Sequence, residues 1–88
     1  MTLQQLHYVI TITEMGSFNK ASEVLYIAQP SLTGAVQELE KELGIIIFNR
    51  TRKGVSLTND GVEFINHARQ LYQQYEIILD KYGKGATM

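Results

Sequence analysis

Gln29, Ser31 and Thr33 place an amide and two hydroxyls within five residues of chain, grouped around Pro30. An amide pairs with adenine N6 and N7. A hydroxyl pairs with either kind of base, and methyl or ring carbons contact a thymine methyl. Farther on, Arg50-Thr51-Arg52-Lys53 gathers three cations, with no acidic residue between Glu42 and Asp60. Cations so grouped suit a phosphate backbone or a narrow minor groove. Each cluster also has a plain reading, as a polar helix face or a solvated loop. The elements that carry the two clusters decide between these readings.

Helical spacing predicts a first helix over Leu3 to Met15, with Leu3, Leu6, Val9, Ile10 and Ile12 on its apolar side. Thr2 is its expected N-cap and Gly16 its stop. A short second helix follows Ser17, with Phe18, Ala21 and Leu25 on one stripe, and ends near Tyr26. The third opens at Gln29-Pro30-Ser31, where the missing proline N–H costs nothing. Leu32, Val36, Leu39 and Leu43 form its buried row, and Gly44 closes it. The second and third helices, joined by Tyr26-Ile27-Ala28, make a helix-turn-helix pattern. In that pattern the N-terminal residues of the second member face base edges in the major groove. The free N–H groups at its start also suit a phosphate.

Ile45 to Phe48 reads as a strand, Arg50 to Gly54 as a turn and Val55 to Leu57 as a second strand, together a hairpin wing. A lone hairpin is marginal in water, so it must pack on the helices. Thr58-Asn59-Asp60-Gly61 is a capping segment. The helix it opens is expected to run from Asn59 to Tyr82. Ile65, Ala68, Tyr72, Tyr75, Leu79 and Tyr82 recur every three or four residues along it, and Phe64, Leu71 and Ile78 form a second row every seven. That apolar surface is wider than so small a core can cover, which implies a partner helix. The expected fold is mainly α: a winged helix-turn-helix of three helices and a short hairpin over 1–58, a long dimerisation helix over 59–82, and a flexible tail over 83–88.

Composition bounds the function classes. The 88 residues make one small domain with a modest core, for which self-association is the expected extra source of stability. Eight basic and nine acidic residues give a net charge of −1, but the acids lie apart from the Arg50–Lys53 cluster. A polarised surface can bind phosphate on one face and stay soluble through the other. There is no cysteine, so disulfides and thiolate sites are excluded. His7 and His67 lie too far apart in sequence to form a ligand cluster, and no cofactor or metal is expected. Both are read as solvent-edge or dimer-contact residues. Glu38, Glu40 and Glu42 read as a solvated face. Catalysis is not expected, because no nucleophile–base pair and no glycine-rich phosphate loop is present. No apolar run resembles a signal peptide or a membrane span, so the expected location is the cytoplasm, with the nucleoid. Two functions remain open on these grounds: a sequence-specific DNA reader, or a winged-helix module for protein interaction.

From Leu3 to about Tyr82 the chain resembles the N-terminal DNA-binding domain of LysR-type transcriptional regulators. The resemblance rests on Leu3, Leu6, Gly16-Ser17-Phe18, Lys20-Ala21-Ser22, Leu25, Gln29-Pro30-Ser31-Leu32-Thr33, Leu39-Glu40, Leu43-Gly44, Phe48-Asn49-Arg50-Thr51, Val55-Ser56-Leu57-Thr58 and Gly61. It implies base contacts from Gln29, Pro30, Ser31 and Thr33. It implies backbone contacts near Ser17 and Lys20, and a minor-groove wing made of Arg50, Thr51, Arg52 and Lys53. It further implies an antiparallel homodimer through the last helix, seated on an interrupted inverted repeat, and tetramers in the full-length protein. A small-molecule inducer would act through a longer C-terminal domain, of which this chain is expected to be the detached N-terminal partner. Gly34 stands where many members carry a basic or amide side chain, Ala35 where glutamine is common, and Glu38 at a commonly basic position. Gly34 is therefore expected either to let the helix backbone itself come close to DNA or simply to leave room for water.

Overall fold

Residues 1–83 are described by a computed structural model; the expected tail lies, beyond Gly83, outside the described residues. Helix α1 spans Leu3–Met15, α2 Phe18–Leu25 and α3 Gln29–Leu43. An antiparallel hairpin of β1 (Phe48–Thr51) and β2 (Gly54–Leu57) follows, then α4 (Asn59–Ile78). Each helix starts where side-chain chemistry allows. Thr2 accepts the Gln5 N–H and the Gln5 side chain accepts the Thr2 N–H, each at 3.0 Å, a reciprocal capping box. The Ser17 hydroxyl accepts the Lys20 N–H at 3.1 Å, and Thr58 accepts the Gly61 N–H at 2.9 Å. α3 has no side-chain cap and relies on Pro30 in its first turn. Gly16 and Gly44 end α1 and α3 in the left-handed conformation. Tyr26 does the same for α2 at φ 57, and its exposed ring leaves the turn toward α3 open.

α1 lies at the centre and packs against α2, α3, α4 and β2. Leu6, Val9 and Ile12 meet Phe18 and Ala21 from α2, then Leu32, Val36 and Leu39 from α3, and Ile65 and Ala68 from α4. Ile47, just before the wing, and Phe48, its first residue, complete this core. Full burial of such side chains contributes about 1.5–3 kcal/mol each. The Gln5 amide also donates to the Ala35 carbonyl at 3.3 Å, tying α1 to the middle of α3.

Three expectations are corrected here. Ile45 to Ile47 is not a strand. The Ile47 and Phe48 N–H groups donate to the Glu40 carboxylate at 2.7 and 3.4 Å, while the Thr58 hydroxyl donates to the Ile46 and Ile47 carbonyls. With those backbone groups engaged, pairing begins only at Phe48 opposite Leu57 and ends at Thr51 opposite Gly54. The turn is therefore Arg52-Lys53 alone, and Arg50 and Thr51 lie within β1. Secondly, α4 stops at Ile78 and continues as a wider π-type turn over Leu79–Gly83, so Leu79 and Tyr82 leave the regular helix. Thirdly, Glu40 and Glu42 are not merely solvated. Glu40 holds the segment after α3, and Glu42 pairs with the N-terminal ammonium at 2.6 Å.

Candidate nucleic-acid interface

Gln29, Pro30, Thr33 and Gly34 occupy successive turns on one side of α3, with Gln37 next along the same side, because i, i+4 and i+8 positions stack on a helix. The structure brings these five residues together with Arg50 along a shallow groove of about 440 Å³. Leu32 and Val36, on the opposite side, are buried and fix which face α3 turns outward. Ser31, expected beside them, is exposed but does not line the groove. Gly34 keeps ordinary helical geometry, and a β-carbon built there meets nothing. The floor at Gly34 is thus open backbone flanked by amides.

A second cleft, of about 220 Å³, meets the first at Gln29 and Arg50. Its walls are Ser17, Phe18 and Asn19 at the start of α2, and Thr51, Arg52 and Gly54 from the wing. Three elements distant in sequence thus meet at one edge. The wing is held there by backbone: Val55 N–H donates to the Gly16 carbonyl at 3.1 Å. Gly54 packs so closely on the same carbonyl oxygen that a β-carbon would collide with it, and its φ of +133 disfavours a side chain in any case. Within the tip, Thr51 Oγ1 accepts the Lys53 N–H and donates to the Gly54 carbonyl, both at 3.3 Å.

The cations divide into two kinds. Arg52 and Lys53 form the exposed turn. Arg50, expected at that tip, instead lies one strand pair back, with its guanidinium 3.8 Å over the centre of the Phe18 ring. Phe18 in turn meets Phe48 edge to face, with ring centroids 5.7 Å apart. Lys20 is exposed on α2 and lines neither cleft, and Ser17 Oγ is engaged in capping. Asn19 and Gln37 are site-lining residues that sequence reasoning passed over. The 29–33–37 spacing carried the signal for Gln37, whereas the wing had to be placed in space before Asn19 could be assigned.

The long helix sorts its expected seam differently. Ile65 and Ala68 are each only 2 % exposed and belong to the protomer's own core, so neither has surface left for a partner. Tyr72 is half-buried and stacks on His7 from α1, with ring centroids 5.2 Å apart and planes 13° from parallel, and Tyr75 tilts against it at 5.4 Å. His7 is therefore an internal packing residue. Among the described residues from α4 onward, the large apolar side chains left exposed are Val62, Leu71, Ile77, Ile78, Leu79 and Tyr82, between 48 % and 63 %. Leu71 and Ile78 come from the seven-residue row.

Residues 3–62 match the family model described as bacterial regulatory helix-turn-helix protein, lysR family. The chain belongs to the LysR family. Among curated relatives, this LysR-family chain is 42 % identical over 77 residues to the HTH-type transcriptional regulator ClcR of Pseudomonas putida, covering 88 % of itself and 26 % of ClcR. It therefore spans about a quarter of that relative's length. The BenM DBD/catB site 1 DNA complex superposes with a TM-score of 0.90 at 34 % identity, covering 100 % of this chain and 99 % of that one. The CbnR DBD–DNA complex does so with a TM-score of 0.87 at 31 % identity, covering 98 % and 99 %. No helix among the described residues is long and apolar enough to cross a membrane.

Proposed function

We propose that this LysR-family chain reads double-stranded DNA in a sequence-specific manner, as the operator-binding part of a transcriptional regulator. One observation carries the reading: the outward face of α3 and the cationic wing open onto the same edge of the molecule, sharing Gln29 and Arg50. α3 enters the major groove, where Gln29, Pro30, Ser31 and Thr33 meet base edges and Gly34 brings the backbone near. Arg52 and Lys53 at the wing tip reach the adjacent minor groove, with Thr51 behind them. Ser17 and Lys20 lie near the phosphate backbone at the start of α2. Solved structures of similar chains bound to DNA, those of BenM and CbnR, support this docking.

In this reading residues 1–58 form the reading unit and 59–82 form the helix through which two copies pair. Two reading heads then meet the halves of an interrupted inverted repeat. The regulator works in the cytoplasm, as a binding protein rather than a catalyst. Its longer form assembles into tetramers and senses a small molecule through a C-terminal domain.

The test is fluorescence anisotropy against a pool of random duplexes at two salt concentrations, with the retained sequences read out. Enrichment of an interrupted inverted repeat is expected, with affinity falling steeply in salt. The double substitution Arg52→Ala and Lys53→Ala should lower the log–log salt slope by about 0.9 for each phosphate no longer neutralised. A folded protein that binds no duplex at low salt would favour a protein-interaction role instead.

A further inference from the structure

Arg50 is exposed and has no carboxylate partner among the described residues, yet its guanidinium is not loose. Its central carbon sits 3.8 Å from the centroid of the Phe18 ring, a separation short enough for the guanidinium to stack on the ring face. Phe18 is itself only 5 % exposed and is buttressed by Phe48. Stacking of this kind occupies the face of the guanidinium and leaves its N–H donors, which lie in the plane, free for a planar anion. Those donors border the cleft between the start of α2, Gln29 at the start of α3, and the wing. Arg52 and Lys53 have no comparable aromatic contact among the described residues.

We infer that Phe18 is a positioning residue: its ring seats Arg50 so that the guanidinium grips one DNA phosphate at the junction of α2, α3 and the wing, and thereby fixes the register of α3 in the groove. The inference rests on the DNA-binding reading above. It separates Arg50 from the other wing cations. Arg52 and Lys53 supply charge at an exposed tip, whereas Arg50 supplies a preset contact whose side-chain ordering is completed before DNA arrives. A lysine has no planar face to stack and presents a point charge.

The experiment is a double-mutant cycle between Phe18→Leu and Arg50→Ala, measured as duplex affinity across a salt series. Thermal melting establishes that each variant is folded at the assay temperature. Phe18→Leu should weaken binding about 3- to 10-fold, the cost of ordering one long side chain on binding when it is no longer held beforehand. Phe18→Tyr, which keeps the ring face, should bind like the parent. Arg50→Ala should lower the salt slope by about 0.9. In the Arg50→Ala background, Phe18→Leu should cost nothing further. Losses that multiply independently would overturn the inference while leaving DNA binding intact, whereas a parent protein that binds no duplex overturns both.

If Phe18→Leu does not fold, the parent decides the matter alone. In its proton NMR spectrum the Arg50 side-chain protons should lie upfield of those of Arg52, through the Phe18 ring current. They should remain upfield when duplex is added. Their return to unshifted positions on DNA would show that Arg50 leaves the ring to bind, and would overturn the positioning role.

Discussion

The Glu40 carboxylate accepts the backbone N–H of Ile47 at 2.7 Å, reaching from the last turns of the reading helix to the segment that enters the wing. Ile47 is fully buried, so its N–H has no water to turn to. Hydrogen bonds to a charged group contribute about 1.5–3 kcal/mol. Glu40→Ala should lose stability on that scale in urea denaturation, and Glu40→Gln, which keeps an acceptor oxygen, should lose less. Amide exchange at Ile47 should quicken in the alanine variant. Unchanged protection there would mean that another contact fixes the segment.

Gly34 and Gly61 should respond to alanine in opposite ways. At Gly34 the added carbon meets open space, so Gly34→Ala should gain about 0.5–1 kcal/mol from helix propensity. At Gly61 the same carbon would run into the Ile47 carbonyl oxygen, and Gly61→Ala should lose at the upper end of the about 1–3 kcal/mol typical of overpacking. Denaturation midpoints measure both. Gly34→Ala should also weaken duplex binding if DNA approaches the α3 backbone, and equal affinity would remove that role for Gly34.

Burial, then the Glu76 carboxylate and then Tyr75, hold the Tyr72 hydroxyl neutral to a higher pH than its ordinary value of 10.0. The unfolded chain ionises this tyrosine first. The stabilisation is therefore fully present below pH 10.0 and is lost as pH rises through the higher folded value. Tyr72→Phe keeps the ring that stacks on His7 and should lack this part of the alkaline decline. Melting temperatures of the two proteins, compared across that range, check it.

Charge on the exposed row of α4 should separate two copies without unfolding either. Leu71→Glu or Ile78→Glu is expected to yield folded monomers by sedimentation velocity. Ile65→Glu, which buries a charge inside the protomer, should unfold it. Dimers persisting at micromolar concentration in both surface variants would place the partner elsewhere.

The helices were legible in the sequence because their signals are local. Thr2, Gly16, Ser17, Pro30, Gly44 and Thr58 mark the boundaries by chemistry confined to a turn, and the structure keeps all of them. The wing was legible in kind but not in register. The β-branched run Ile45–Ile47 has the composition of a strand, but its backbone groups are claimed by Glu40, seven residues earlier at Ile47, and by Thr58, eleven or twelve residues later. No periodicity records such partners. The same limit moved Arg50 off the hairpin tip, since its place follows from where β1 begins to pair with β2, and its guanidinium meets a phenylalanine in α2. On α4, sequence showed that the apolar surface was too wide, but only packing against α1 could tell which row, Ile65–Ala68 or Leu71–Ile78, stays inside.

The backbone contact between Gly16 and the base of the wing has a mechanical consequence. Two strands of four residues would swing freely on their own. Fastened through Val55 to the turn that separates α1 from α2, they cannot move without taking that turn along. That tie sets the base of the wing relative to the helices, and with it the gap between the wing and the outward face of α3, like the gap of a caliper. A duplex whose groove spacing departs from that gap must itself bend or widen to be held, at a cost set by its own stiffness. Selectivity can then extend to base pairs that no side chain touches.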